Sequence, residues 1–339
     1  MANESQQSQA SCGDRQAEPQ AVAASQRPDP PGEGTAHPGW QARASLRVEA
    51  APTDGQPCWH QAAAQAPLKW LRAFPQADGR LQIPLLHTAG GLVGGDQLQL
   101  DLDLGPGGRA LLTSVAAQKV YGSVGRSAVA PEGRWATLQL EVRLANGADL
   151  EWLPQELVLY ADGLYTQQVR VELEPGASYL GAEVVRLGRS AAGESLQNGR
   201  FRSSLTIGRH QRGSHRWELV DRLELAGAAL ESAHGMACQP VFGSLVWAAP
   251  APLDAGRLQD LLERCRTARR DLAGEMACGP LEQGLIARYR GPSSQAARFW
   301  FTRLWALIRR ERELPPPELP RVWPFQEQPL AAGWADGSG

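Results

Sequence analysis

A mainly β fold, large and multi-stranded with packed or coiled sheets and about two α-helices in the C-terminal third, is what this sequence predicts. Three observations carry the prediction. First, apolar and polar residues alternate strictly: Leu98, Leu100, Leu102 and Leu104 share one parity, while Gln97, Gln99, Asp101 and Asp103 share the other. That period of two belongs to a half-buried strand. Second, comparable segments recur at intervals of roughly ten to twenty residues with Gly, Pro or Asn between them, as sandwiches and coiled β folds require. Third, helical spacing of apolar residues appears only late in the chain, from Leu258 onward.

Taken in order, residues 1–39 hold Gln, Ala, Ser, Pro, Gly and Glu with almost no bulky apolar side chain. Such a segment cannot bury enough surface to offset its ordering entropy, so a disordered tail is expected. Residues 40–325 are expected to form a single β-rich domain and 326–339 a flexible tail. A strand is predicted over 45–48, the Ala/Gln/Pro-rich stretch 57–67 is left unassigned, and short strands at 68–74 and 81–86 lead into the stretch 87–96. That stretch reads His-Thr-Ala-Gly-Gly-Leu-Val-Gly-Gly-Asp. Its four glycines imply tight turns or close backbone approach, and the Asp-Gln that follows excludes a P-loop, which ends in Gly-Lys-Ser/Thr. Strands follow at 97–104, 110–114, 137–144, 149–153, 157–160, 167–173, 179–187, 200–208 and 216–225. Asn146-Gly147 is a tight-turn signal, and it predicts a hairpin between 137–144 and 149–153.

The helical third begins at a plausible cap, Asp254, behind which Leu258, Leu261, Leu262, Cys265 and Leu272 keep helical spacing. A second helix opens at Ser293 or Ser294 and ends before Pro315–Pro317. It carries Trp300, Phe301, Leu304, Trp305, Leu307 and Ile308 around much of its circumference, so it is either buried on two sides or docks a partner.

Composition removes several function classes. With 34 basic and 36 acidic residues, a formal charge of -2 and a pI near 6.3, the chain has no electrostatic footprint for nucleic acid. The N-terminus lacks a basic-then-apolar signal, and the uncharged span 232–253 is broken by His234 and three prolines, so neither secretion nor membrane insertion is expected. Five cysteines without a Cys-x-x-Cys pair indicate neither a disulfide framework nor a structural zinc site; a reducing cytoplasm is the expected home. His210 and His215 are five residues apart, and at this spacing two strand residues fall on opposite faces, which argues for surface histidines and against a paired ligand set.

Carboxylates are the remaining candidates. Glu183 shares parity with Val185 and Leu187, and Asp221 with Trp217, Leu219, Leu223 and Leu225. Each therefore points to the apolar side unless a bulge intervenes, and a carboxylate there must be paired, protonated or facing a wet cavity. On the same reading Trp217 belongs to the core. Glu151 and Glu156 flank Pro154, which interrupts strand pairing. Two carboxylates beside a cleft suit glycoside hydrolysis or a hard-oxygen cation site, so a carboxylate-pair glycoside hydrolase is one alternative. A carbohydrate-binding β module, which needs an exposed tryptophan row, is another.

The stretch 87–96 is followed by Leu-Leu-Thr-Ser-Val-Ala-Ala-Gln-Lys-Val-Tyr at 111–121, Leu-Glu-Trp-Leu-Pro-Gln-Glu at 150–156, Leu-Gly-Arg-Ser-Ala-Ala-Gly-Glu at 187–194 and Pro-Arg-Val-Trp at 320–323. In this order the motifs resemble the urease accessory protein UreD (UreH) family over residues 40–325. The resemblance implies a non-enzymatic maturation factor that binds apo-urease and recruits UreF and the GTPase UreG for nickel insertion. It also implies a mostly β fold with an internal passage for nickel, and no tightly bound cofactor, the Ni2+ being transient. Weak oxygen ligands suit such transit, since a tight His/Cys site would retain the ion. Asp96, Glu151, Glu156, Asp162, Glu183 and Glu194 are the expected passage-lining or corner-fixing acids, with Thr113 and Ser114 as polar neighbours. Replacing Glu151 or Asp96 by alanine is expected to lower urease activation while the chain still folds.

Overall fold

The alternation that marks each strand also decides how the strands assemble. Every strand with one apolar face must turn that face to a common interior, and the chain achieves this by passing back and forth between two sheets. The computed structural model describes residues 39–50, 58–211, 213–323 and 328–331. By contacts the chain divides into Met1–Thr35, outside the described residues, and Ala36–Gly339, which contains everything below. The tails expected at 1–39 and 326–339 fall outside the described residues except for 39 and 328–331.

The strands, in chain order, are β1 (Gln41–Glu49), β2 (Trp59–Ala64), β3 (Leu68–Trp70), β4 (Phe74–Pro75), β5 (Leu81–His87), β6 (Gln97–Leu104), β7 (Arg109–Ser114), β8 (Gln118–Val120) and β9 (Ala136–Leu144). They continue with β10 (Asp149–Trp152), β11 (Leu157–Leu159), β12 (Leu164–Leu173), β13 (Ser178–Leu187), β14 (Arg200–Gln211), β15 (Ser214–Leu225), β16 (Val241–Ala248), β17 (Glu275–Leu281) and β18 (Gly284–Gly291). Among the described residues there are also three α-helices: α1 (Ala228–Glu231), α2 (Ala255–Thr267) and α3 (Ser294–Glu311). The fold is mainly β, as the sequence predicts.

One sheet has seven strands in the order β15-β14-β12-β9-β6-β1-β2, and the other eleven, with the main path β17-β18-β16-β13-β10-β7-β5-β3. Strands β6, β9 and β12 lie in the first sheet, and β7, β10 and β13, which follow each of them, lie in the second. Neighbours within each set are parallel. The expected hairpin between 137–144 and 149–153 is therefore corrected: β9 and β10 do not pair. Both bury an apolar face in the space between the sheets, so the turn at 145–148 is a corner from one sheet to the other.

Three such corners stack. Leu104-Gly-Pro-Gly-Gly, Leu144-Ala-Asn-Gly-Ala and Leu173-Glu-Pro-Gly-Ala occupy equivalent positions, and the fourth residue of each has a left-handed backbone (Gly107 φ 66, Gly147 φ 67, Gly176 φ 74). That conformation strains any residue with a Cβ, which accounts for glycine there. The corners bond to one another, Gly107 N–H donating to Asn146 O (3.0 Å) and Gly147 N–H to Pro175 O (3.2 Å).

The stretch 57–67, left unassigned from sequence, supplies β2, which pairs with β1. The C-terminal third is less helical than expected, since β16, β17 and β18 belong to it. Val241–Ala248 is buried at every position, so it shows no alternation to read. Both helix caps form as predicted: Asp254 Oδ1 accepts from Arg257 N–H (2.9 Å) and Ser293 Oγ from Ala296 N–H (3.1 Å).

The two helices cover the outer face of the eleven-stranded sheet and make a second core, distinct from the one between the sheets. The wide apolar circumference of α3 is used within the chain. Trp300 donates to Cys265 O of α2 (2.9 Å), Phe301 lies against Gly243 of β16, and Trp305 packs on Trp323 with ring centroids 6.2 Å apart. Of the two readings of this helix, burial on two sides is the one observed.

Candidate functional site

In-register parallel strands stack like side chains into rows, and the rows define a cavity. Ala44, Leu100, Leu140, Val169 and Leu205 form one inward row across the seven-stranded sheet. In the neighbouring row, Ala42, Leu98 and Leu138 give way to Gln167 and Ser203. Across the interior, Glu183, Ser244 and Arg288 are register partners on β13, β16 and β18. Polar side chains thus gather at matching places in both sheets. Between them lies a cavity of about 360 Å³ with largely apolar walls, among them Leu100, Tyr165, Trp152 and Val246. It also reaches His87, Gly90, Gly91 and Lys119 at the glycine corner.

Gln167 donates to both Glu183 and Ser203 Oγ (3.1 Å to the latter). Arg288 donates to Ser244 Oγ and pairs with Asp221 Oδ2 (2.5 Å), the side chains of Arg288 and Asp221 being 33% and 26% exposed. This pair therefore stands where the polar row reaches solvent. Asp221 points inward as its parity predicts, and Arg288, distant in sequence, is its partner. Burial pushes the Glu183 carboxyl up to about 7, against the opposing Arg288 charge and Gln167 hydrogen bond. At the other end His87 has both ring nitrogens buried without a hydrogen-bond partner, and Gln155, also on the cavity wall, has an unpartnered Nε2. Burial lowers the His87 pKa against the pull of Asp96, which favours the neutral imidazole.

Of the eight residues singled out from the sequence, Glu183 and Ser114 lie on the cavity wall. Ser114 Oγ accepts from Gln155 N–H (2.9 Å). Asp96 is buried at the glycine corner, where Oδ1 accepts from Trp40 N–H and Oδ2 from Val93 N–H, both at 2.8 Å. It ties the start of β1 to the loop before β6. Asp162 has a left-handed backbone (φ 61) and accepts from Asn198 Nδ2 (3.1 Å). Glu194 pairs with Arg189 (2.5 Å) and caps Ala161 N–H (2.7 Å); the Arg189 hydrogen bond keeps its carboxyl below the usual range. Thr113 donates to Leu153 O (2.6 Å) and accepts from Trp323 Nε1 (2.9 Å), so it anchors the C-terminal segment. The sequence reading missed His87, Gln155, Gln167, Ser203, Ser244 and Arg288, and only register across strands brings the last four to Glu183.

Glu151 and Glu156 meet arginines of α3 instead of the cavity. Glu151 receives Arg309 Nη1 on both oxygens (3.0 Å each) and lies 3.5 Å from Arg80 Nε. Arg80 is fully buried and also pairs with Asp149 (2.6 Å) and Asp78 (3.3 Å); Arg309 reaches Asp78 (2.9 Å) and Arg312 reaches Asp149 (2.8 Å). Three arginines and three carboxylates thereby balance. Burial alone would raise Asp149, but the Arg80 and Arg312 charges outweigh it and hold the carboxyl well below the usual range. Glu156 pairs with Arg298 at 3.4 Å. Glu151→Ala would take away one of the two carboxylates that Arg309 meets, so a loss of stability is expected of that variant. The two glutamates share no part of the cavity wall, so nothing supports a carboxylate-pair hydrolase there.

The outer face of the seven-stranded sheet brings two more corrections. β14 and β15 are an antiparallel hairpin in which His210 and His215 are direct partners, so they lie side by side instead of on opposite faces. An irregularity between Ile207 and Gly208 shifts the register, and beyond it Trp217 turns outward, half exposed, while Glu218 turns inward to Arg209 (2.5 Å). Exposed Trp59 and Trp217 sit on β2 and β15, the opposite edges of the sheet. Among the described residues no aromatic row for carbohydrate forms.

These features define a class: a coiled two-sheet β protein backed by helices, with a polar-ended internal cavity and no assembled nucleophile–base pair among the described site residues. Residues 42–324 match the family model described as UreD urease accessory protein. Similar chains include the urease accessory protein UreD of Synechococcus sp. (strain WH7805), 57% identical over 296 residues, which covers 86% of this chain and 93% of that relative. That of Prochlorococcus marinus (strain MIT 9303) is 60% identical over 269 residues, 79% of this chain and 90% of the relative. The chain belongs to the UreD urease accessory protein family.

Proposed function

We propose that this chain is a urease maturation factor without catalytic activity of its own. It binds apo-urease, recruits UreF and UreG, and conveys nickel through the cavity between its two sheets toward the urease active site. The observation that supports the passage most directly is the polar end of that cavity, where Gln167, Ser203, Ser244 and Glu183 meet across the two sheets. Oxygen donors of this kind hold a borderline cation weakly, and a single unpartnered imidazole, His87, adds one nitrogen donor at the glycine-corner end. Weak and separated donors suit a passage better than a store. Asp96 and Glu194 serve the same function indirectly, by fixing the corner loops through backbone N–H groups.

No helix among the described residues is long and apolar enough to cross a membrane. A cytoplasmic site of action, beside the apo-urease it serves, completes the reading.

The test is urease activity in a host supplied with nickel, the urease subunits, UreF, UreG and UreE, with and without this chain. Activity is expected only in its presence. Glu183→Gln and His87→Phe are expected to lower activation severalfold while UreF capture is retained. Full activation by both variants would remove the cavity from the nickel route, and activation without the chain would remove the maturation role.

A further inference from the structure

The hairpin that joins β14 to β15 assembles a second group of donors, on the outer face of the seven-stranded sheet and away from the cavity. His210 and His215 are cross-strand partners with ring centroids 5.0 Å apart. Glu172 comes from the adjacent strand β12, where its own register partner on β14 is Gly208. Its Oε2 lies 3.0 Å from His215 Nε2 and 3.6 Å from His210 Nε2, and one ligand atom from each residue falls within 4.8 Å of the other two. We propose that Glu172, His210 and His215 form a binding site for one late first-row divalent cation of the nickel, copper and zinc class.

The geometry suits such an ion. Donors about 2.0 to 2.2 Å from a common zinc-like centre stand roughly 3 to 3.5 Å apart, and both observed nitrogen-to-oxygen separations lie near that range. Two imidazoles and one carboxylate form a borderline set that favours these metals over magnesium or calcium. The ligands are also held. Trp217 packs edge-on against His215 with centroids 4.7 Å apart, and Arg170 Nε holds the other oxygen of Glu172 at 2.9 Å. Gly208 supplies the room: a Cβ there would lie 2.2 Å from His215 Nε2 and 2.9 Å from Glu172 Oε2.

The side chains of His210, His215 and Glu172 are 48%, 30% and 19% exposed, so the site faces solvent with coordination positions left over for water or a donor from another protein. That describes a station at which an ion is picked up or handed over. The inference does not rest on the cavity reading, since no ligand here lines the cavity.

The experiment is equilibrium dialysis and calorimetric titration of the full chain, stripped with chelator and returned to chelator-free buffer, with NiCl2 and separately with ZnCl2. The wild-type chain is expected to bind one equivalent that the His210→Gln/His215→Gln double variant loses or binds at least tenfold more weakly. Glu172→Gln is expected to weaken it severalfold. Ni2+ is expected to quench the fluorescence contributed by Trp217, read as the difference between wild type and Trp217→Phe. Glu183→Gln and His87→Phe should keep this equivalent, which separates it from any cation in the cavity. Unchanged stoichiometry and affinity in the folded double variant, or no metal bound by the wild type, overturns the proposal.

Discussion

Two groups of charge sit on opposite faces of the same sheet, and they are built on opposite principles. Toward the helices, Arg80, Arg309 and Arg312 meet Asp78, Asp149 and Glu151 in equal number, and contacts of 2.6 to 3.5 Å join them. Toward the other sheet, Glu183 has a glutamine and a neighbouring serine row, and the arginine nearest to it is engaged by Asp221. The first group joins strand β10 to helix α3 across 158 positions of sequence and leaves little charge unanswered. The second leaves a carboxyl under-compensated beside open volume. Balanced charge locks an interface, whereas unbalanced charge beside a cavity is available to a passing cation.

The largest expected effect breaks the balanced group. Glu151→Ala leaves buried Arg309 with Asp78 as its remaining carboxylate, and breaking a buried ion pair by removing one partner costs about 3 to 5 kcal/mol. Urea unfolding should show that loss, and the double variant Glu151→Ala/Arg309→Met should recover part of it, because it removes both charges. A single variant as stable as wild type would mean that the network contributes nothing to holding α3.

A second test uses pH, to which the two groups respond with opposite signs. Asp149 and Asp78 have folded pKa values below their unfolded ones. Their contribution is present above the ordinary carboxylate pKa and is lost as pH falls below about 4. Glu183 has a folded pKa raised to about 7 from 4.5, so the native state holds a proton that the unfolded state releases. Its contribution is fullest below 4.5 and declines as pH rises through about 7. Melting temperatures across this range should fall at the acid end through the balanced group and decline between these two values through Glu183. Asp149→Asn should flatten only the acid limb.

How much of this was legible in the sequence follows from the range over which each feature acts. Strands such as β6 and β9 were readable because alternation is local, and both helix starts were readable because Asp254 and Ser293 cap their own first turns. The coil was not, since one Asn-Gly turn suits a hairpin as well as a corner; the repeat of leucine, turn and glycine at 104–108, 144–148 and 173–177 was the signal that would have found it. Parity placed Glu183 and Asp221 correctly but failed for Trp217, because an extra residue in its own strand, Glu218, breaks the alternation there and no Gly or Pro marks the place. Parity also misjudged His210 and His215, since it treats as one strand two residues that a turn folds together. For Glu151, nothing near it in sequence announces Arg309. Ion pairs that join distant elements are tertiary facts, and a carboxylate inside a family-like motif reads the same whether it meets a metal or an arginine.

The smallest expected change in stability carries the most information about function. Glu183→Gln keeps the shape and the contact with Gln167 but removes the group that ionises near neutral pH. At pH 8 the wild-type chain must hold this carboxylate charged in a poorly solvated place, so the variant should be more stable there by roughly 1 to 3 kcal/mol. Below pH 4.5 the carboxyl is protonated in the folded and unfolded chain alike, and the difference should vanish. If the side chain were only structural, urease activation would rise or stay level along with stability at the higher pH. If the charge serves the cation, activation should fall severalfold in a variant that is more stable than the parent. Such an inverse relation is hard to obtain from misfolding, and it would locate function in the very imbalance that separates this cluster from the one across the sheet. A variant that gained stability and kept full activation would show that the imbalance has no role in nickel transfer.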